Sequence, residues 1–431
     1  MLCARKCMPK ILVLYHQSIF PLRSTVRDLL YCYERYANAE CVYLNTALRT
    51  TIPSSYFEEE YDLIIFTTVF ISLRWGGFSA YEQVHELLAP LKASKATKVI
   101  YPQDEWIHLD VLNKCIKDFD INYVFSVAPS SEWHKIYYDV DRSKVQILPA
   151  LTGYVEHEVI DYVNTKQSIA RTIDIGYRAY KAPAWLGRHG FLKTYIADVF
   201  LQEAPKYGFN TDISTEANAT IVGDKWYDFL LQCRFFIGLE GGSTVLDIDG
   251  AIWNKGIAYQ KQFPNATFEE TENDIFPGLD GTLNLVAISP RHLECCITKT
   301  CQVLIEGDYN GILIPDVHYI SVKRDFSNLP EVFAKMSDAA LCAKIAERAY
   351  VDIIASGKYT YQSFVCELLL KTIGYDNSSG KIDASKWKSL ELSYNKRINR
   401  GNLRSATIKN IAKQLGLLDT ARKVKRLIFE R

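Results

Sequence analysis

Several features are missing from this 431-residue chain, and each absence narrows what it can be. No stretch approaches the roughly 20 apolar residues that a membrane-spanning helix needs. No charge of one sign is in excess. Lys and Arg number 50 and so do Asp and Glu, which removes the electrostatic footprint of a nucleic-acid binder. The eleven cysteines include no CxxC pair and no Cys/His zinc spacing, so free thiols in a reducing, cytoplasmic compartment are expected. The N-terminal MLCARKCMPKILVLYH holds only a short apolar run after its basic residues, and that run reads as a first β-strand rather than a signal segment.

What is present is the profile of a globular protein too long for one compact core, so two domains are expected. Residues 10–15 (KILVLY) form a continuous apolar run, the pattern of a strand buried on both faces. Ser24 or Thr25 can cap a helix reaching Tyr36. Strands follow at 41–45, 61–70, 98–103 and 121–127, with helical stretches near 79–93 and 108–118. A second alternating unit begins with IDIGYR at 173–178. Helices near 191–206 and 224–233 precede the strand 233–240. After a polar, turn-rich insertion at 250–283 come a helix at 290–299, the strands 302–307 and 318–322, and a helix from Leu329. Strands alternating with helices imply parallel, doubly wound sheets. The expected layout is a 1–155 domain, a linker near 150–172, a 170–375 domain and a basic helical tail at 381–431. In that tail Ile408, Ile411, Leu415, Leu418, Val424, Leu427 and Ile428 fall on one helical face. It could meet anionic lipid, or it could pack back on the domain and solvate its basic side.

Chemistry concentrates at strand ends. In ISPRHLECC, Pro290 suits a first helical turn, and Arg291 and Glu294 lie three apart on one face. A helix N-terminus with an arginine fork suits phosphate, and a carboxylate one turn on suits a ribose diol, although an ordinary ion pair fits the spacing too. The following EGDYNGIL places Gly307, Asn310 and Gly311 in a turn. Arg178 and Lys181 would set two cations at the edge of the second sheet, fit to stabilise a leaving phosphate. In GLEGGSTVLDIDG, Glu240, Ser243, Asp247 and Asp249 follow a strand. The motif is neither GxGxxG nor a P-loop. Its D-x-D pair invites a metal, but the surrounding two-sheet layout argues for none. In the first half, Gln103, Asp104 and Glu105 lie just past a strand end, where a carboxylate can deprotonate an acceptor hydroxyl or simply cap a helix. His16, at the end of the first strand, is a further acceptor-side candidate.

Ser289, Pro290, Arg291, Glu294, Gly311, His318, Tyr319, Asp325 and Leu329 together resemble the C-terminal half of retaining-type glycosyltransferases of the GT-B fold. The likeness is to the group 1 and CgeB-type branch, over about 70 residues. The resemblance implies two Rossmann-like domains facing a cleft, with a nucleotide-sugar donor on the second domain. Glu294 would then hold the ribose, Arg291 would stand near the phosphates, and Glu240, Ser243, Asp247 and Asp249 would line the cleft. The implied activity is sugar transfer to a saccharide or lipid-linked acceptor in envelope polysaccharide synthesis, at the inner membrane face, with no cofactor beyond the donor. The chain lacks the larger family's E-x7-E signature. A non-catalytic scaffold or a sugar epimerase on the same fold is the alternative.

Overall fold

The structure is a computed structural model that describes residues 8–377 except 21, 50 and 167, together with 388–393 and 396. The 381–431 tail therefore lies almost wholly outside the described residues. The first sheet is six-stranded: β1 (Lys10–Tyr15), β2 (Glu40–Asn45), β3 (Leu63–Phe66), β4 (Thr97–Ile100), β5 (Tyr123–Ser126) and β6 (Gln146–Pro149). Its spatial order is β2-β1-β3-β4-β5-β6 and every pairing is parallel. The second sheet contains β7 (Ile173–Arg178), β8 (Thr211–Ser214), β9 (Cys233–Gly238), β12 (Cys301–Ile305) and β13 (Ile320–Val322). Its order is β13-β12-β9-β7-β8, again all parallel. Between β9 and β12 a short antiparallel pair, β10 (Gly241–Ser243) and β11 (Leu285–Ala287), hangs beside the second sheet.

Both sheets thus begin 2-1-3-4-5 and reverse direction beside their first strand, which places a crevice at the strand C-terminal edge of each. Continuous apolar strands follow from cover on both faces. In the first sheet, Leu12, Leu14, Ile64, Phe66 and Ile100 enter one core, whereas Ile11, Val13, Leu63, Ile65 and Val99 enter another. These are the two Rossmann-like units that the alternation of strands and helices predicts.

The domain limits differ from the sequence expectation at one end. The last long helix, Tyr361–Ile373, does not stay with the second sheet. Its Tyr361, Phe364, Val365, Leu368 and Leu369 pack into the first sheet's core beside the Ser24–Tyr36 helix. Tyr154 stacks on Phe364 with ring centroids 4.6 Å apart. The chain consequently crosses between domains twice, at 150–156 and at 357–361, and the crossings run side by side. Val155 N–H donates to Tyr359 O at 2.8 Å, and Tyr361 N–H donates to Val155 O at 3.1 Å.

Two further segments depart from the expectation. The linker carries a helix, His157–Thr165. The insertion, read as turn-rich, forms the helices Ala251–Gln262 and Phe268–Ile275, the second opened by a Thr267/Glu270 capping box. The segment leading into the insertion also reaches the first domain: Asp247 N–H donates to Trp106 O at 2.7 Å, and Asp110 N–H to Ile248 O at 3.1 Å.

Phe364→Ala should destabilise the whole chain by about 3–5 kcal/mol, since it empties a buried aromatic site between two segments distant in sequence. Denaturant unfolding followed by tryptophan fluorescence checks this. A change below about 1 kcal/mol would contradict the packing described.

Candidate functional site

A cleft of about 420 Å³ opens at the strand C-terminal edge of the second sheet. One wall is the exit of β7, with Arg178 and Tyr180. A second is the 219–223 loop and the helix it starts, Asp224–Gln232, which contributes Trp226. A third is Ser289, Pro290, Arg291 and Glu294 of the helix Pro290–Ile297. Arg23, Ser24 and Thr25 of the first domain close it from across the gap.

The Pro290–Ile297 helix begins as its sequence suggests. Ser289 is extended, Pro290 occupies the first turn where its missing N–H costs nothing, and no side chain caps the turn. Arg291 lies over the Trp226 ring at 5.8 Å, and Trp226 Nε1 donates to Glu294 Oε2 at 2.7 Å. Burial pushes the Glu294 carboxyl pKa up, while the indole bond and Arg291 oppose it. Arg291 and Glu294 are therefore presented together, one cationic fork and one acceptor, on a helix N-terminus whose dipole favours anions.

Lys193, on the helix Gly187–Glu203, is the cation that sequence reasoning missed. Its ammonium lies 5.9 Å from the Tyr180 ring. Burial first, then the neighbouring Arg291, pushes its pKa down to about 8, with Asp104 of the other domain acting the opposite way. Nothing in the sequence marks it: it is one lysine in an ordinary helical stretch, and only the fold brings it beside Tyr180 and within the field of Arg291. Trp226 was also missed, for the same reason.

Asp104 stands opposite. It is exposed, it lies past the end of β4, and its backbone is left-handed at φ 53°. That conformation is strained for a non-glycine residue and here it is held from outside. Arg74, 1 % exposed, donates to Asp104 O at 2.6 Å, to Ile107 O at 3.2 Å and to Gln103 O. Gln103 Nε2 in turn donates to Thr152 O at 2.8 Å, tying the same loop to the first crossing.

Other expected site residues are engaged elsewhere. Glu105, beside Asp104, is fully buried. It accepts from Ser126 Oγ at 2.5 Å, from Val127 N–H at 2.8 Å and from the Tyr137 hydroxyl, so it anchors β4 to β5 rather than facing an acceptor. Asp247 is likewise buried. Its oxygens accept from Ile252 and Trp253 N–H at 3.3 and 2.8 Å, opening the Ala251–Gln262 helix. Asp249 accepts from Ala251 N–H at 3.0 Å. Glu240 is buried and accepts from Tyr309 N–H at 2.7 Å, and its carboxyl fills the space over Gly307. Ser243 is buried too, with Oγ donating to Leu186 O or Val245 O. Asn310 accepts from Ile288 N–H at 2.7 Å, and Gly311 turns the chain at φ 66° on the surface. Those two shape the loop beneath the Pro290–Ile297 helix. Arg178 reaches the cleft wall, but its guanidinium is paired with Asp212 at 2.7 Å. Lys181 is exposed and does not line the cleft. His16, at the end of β1, bonds through Nδ1 to Thr46 Oγ1 at 2.9 Å, and burial lowers its pKa. Among the described residues, no three His, Cys, Asp or Glu side chains group as a metal site would require.

The two adjacent carboxylates should separate cleanly by mutation. Glu105→Gln is expected to cost about 1–3 kcal/mol of stability, because three buried donors lose one of their acceptor oxygens. Asp104→Asn should change stability by less than about 0.5 kcal/mol, since asparagine tolerates the left-handed backbone. Urea unfolding of both variants measures the contrast, and equal losses would contradict it.

No family model matches the chain, and no curated protein matches it. Among solved structures, HepE of Anabaena in complex with UDP and glucose is similar at 11% identity and TM-score 0.45, over 85% of this chain and 99% of that one. An alpha-glucosyltransferase in complex with UDP-glucose and abasic-site DNA is similar at 11% identity and TM-score 0.47, over 86% and 100%. Sucrose-phosphate synthase from Thermosynechococcus elongatus is similar at 9% identity and TM-score 0.46, over 84% and 97%. These are likenesses of chain path.

Proposed function

We propose that this protein is a glycosyltransferase that moves a sugar from a nucleotide-sugar donor to a saccharide or lipid-linked acceptor. The observation that carries the reading is the presentation of Arg291 and Glu294 together, at a helix N-terminus, inside the interdomain cleft. A nucleoside diphosphate needs those two groups: a fork and a dipole for phosphate, an acceptor for the ribose diol. Trp226 adds a flat face beside them.

In this reading the donor lies against the second domain and the acceptor against the first. Lys193 and Arg291 stabilise the negative charge that grows on the leaving diphosphate, the largest contribution such a site can make. Asp104, in its pinned loop, orients or deprotonates the acceptor hydroxyl. The D-x-D carboxylates are committed to their own backbone, so charge stabilisation falls to these side chains, and the transfer is proposed as metal-independent. Retention of anomeric configuration is the stereochemistry that the sequence resemblance implies, and the anomeric coupling in a product spectrum tests it. A role in envelope polysaccharide assembly, with the basic tail at an anionic membrane, completes the proposal.

Thermal unfolding with UDP, GDP, CMP, ADP and dTDP, with and without divalent metal, is the direct test. One nucleotide should raise the melting temperature by several degrees, and Arg291→Ala or Glu294→Ala should abolish the rise. If no nucleotide shifts the wild type, the donor site fails and a non-catalytic scaffold takes its place.

The pH dependence follows from Lys193. Its ammonium is charged below about 8 and neutral above, and only the charged form pairs with diphosphate. Nucleotide affinity should therefore hold below that point and fall as pH rises through it, by about tenfold over the range. Titration calorimetry of the wild type against Lys193→Met reads this. The variant should bind weakly at every pH with a flat profile, and an unchanged profile would remove Lys193 from the site.

A further inference from the structure

A second concavity of the described residues lies apart from the cleft of Arg291 and Glu294. It lies on the opposite edge of the first sheet, at the strand N-terminal ends of β4, β5 and β6, and measures about 730 Å³. Five cations line it, Lys92, Lys95, Lys98, Arg142 and Lys144, against a single lining carboxylate, Asp120.

Lys98 is the informative member. It sits within β4 and is 3 % exposed, yet its ammonium makes no ion pair among the described residues. Its one hydrogen bond is to Lys92 O at 3.3 Å. An ammonium carries three donors, and burying it without a counter-ion is costly. Burial accordingly lowers its proton affinity, with the charge of Asp120 acting the other way. The Leu109–Asp118 helix ends nearby, and a helix C-terminus attracts cations, which accounts for exposed lysines on this edge. It does not account for a buried one.

The neighbouring acids are already occupied. Asp62 accepts from Lys10 N–H at 2.8 Å, and Glu40 and Glu59 pair with the Lys10 ammonium. Asp141 lies 3.5 Å from Lys144, and the other four cations make no ion pair among the described residues. Ser94, Ser143 and Thr372 add hydroxyls to the rim. Cations around a floor of unused donors, in a space of this volume, match a ligand with more than one phosphate group.

We propose that this edge of the first domain is a second binding site, separate from the donor cleft, for a phosphate-bearing polyanion. The same chemistry has two sources, a soluble polyphosphorylated molecule or the headgroups of an anionic lipid surface. The proposal does not depend on the glycosyltransferase reading.

The test uses the full chain carrying Arg291→Ala, which weakens anion binding in the cleft. Inorganic tripolyphosphate is titrated at low salt by calorimetry, and cosedimentation is measured with vesicles of phosphatidylglycerol in phosphatidylcholine against phosphatidylcholine alone. Binding in either arm should weaken on the order of tenfold in Lys95→Glu/Lys144→Glu, two exposed positions whose change leaves the fold intact. Lys98→Met, which keeps the volume and removes the charge, should weaken it at least as much. Tripolyphosphate binding lost in the variants identifies a soluble ligand, and vesicle binding lost alone identifies the lipid. If neither probe binds, or if the double variant binds both as tightly as its parent, the proposal is overturned.

Discussion

Everything that faces the cleft depends on the place where the chain passes between its two domains. The two crossings are paired by the bonds between Val155 and Tyr359–Tyr361, so neither can slide without the other. A buried ion cluster clamps them to the first domain. Arg35, 1 % exposed, pairs with Glu156 at 2.6 Å and with Asp28 at 3.2 Å. Such a cluster contributes little net stability over an apolar replacement, but removing one partner strands the others. Its physical effect is to set the angle at which the second sheet presents Arg291 and Lys193 to the first.

The far rim is held differently. Loop 106–110 meets residues 247 and 248, just before the insertion, through backbone bonds, and a tryptophan group packs nearby. Trp75, Trp106 and Trp253 lie within 5.0–5.8 Å of one another, and Trp185 stands 5.8 Å from Trp253. Two unlike fastenings therefore bound the cleft, one polar and ionic at the crossings, one aromatic at the insertion. Asp104 lies on the loop that both reach, through Gln103 on one side and Trp106 on the other.

The sheets were legible in the sequence because parallel strands are buried on both faces and so read as unbroken apolar runs. KILVLY and CRFFIG needed no context. β6 and β8 were not legible: each has four residues, and QILP and TDIS carry no distinctive pattern. The helix Tyr361–Ile373 was assigned to the wrong domain, since nothing local says which core an apolar helix will join. Within the site, Arg291 and Glu294 were legible because proline and an i,i+3 spacing fix a helix start and a face. Asp104 and Glu105 were both named, and sequence could not divide their roles. Adjacent residues point in different directions, and which one is buried was decided by Ser126, Val127 and Tyr137, more than twenty residues away. Lys193 gave no local signal at all.

The return of the Tyr361–Ile373 helix to the first sheet has a consequence for synthesis. The first sheet's strands are all made by residue 149, but one of its apolar faces waits for a cover that comes about two hundred residues later. At ordinary elongation rates of about 5–20 residues per second, that interval is on the order of ten to forty seconds. During it that face of the nascent first domain is covered only in part, by the Ser24–Tyr36 helix, and its core is incomplete. The chain is thus committed to finishing its first domain last, and the order of its helices sets how long that face stays partly bare during synthesis.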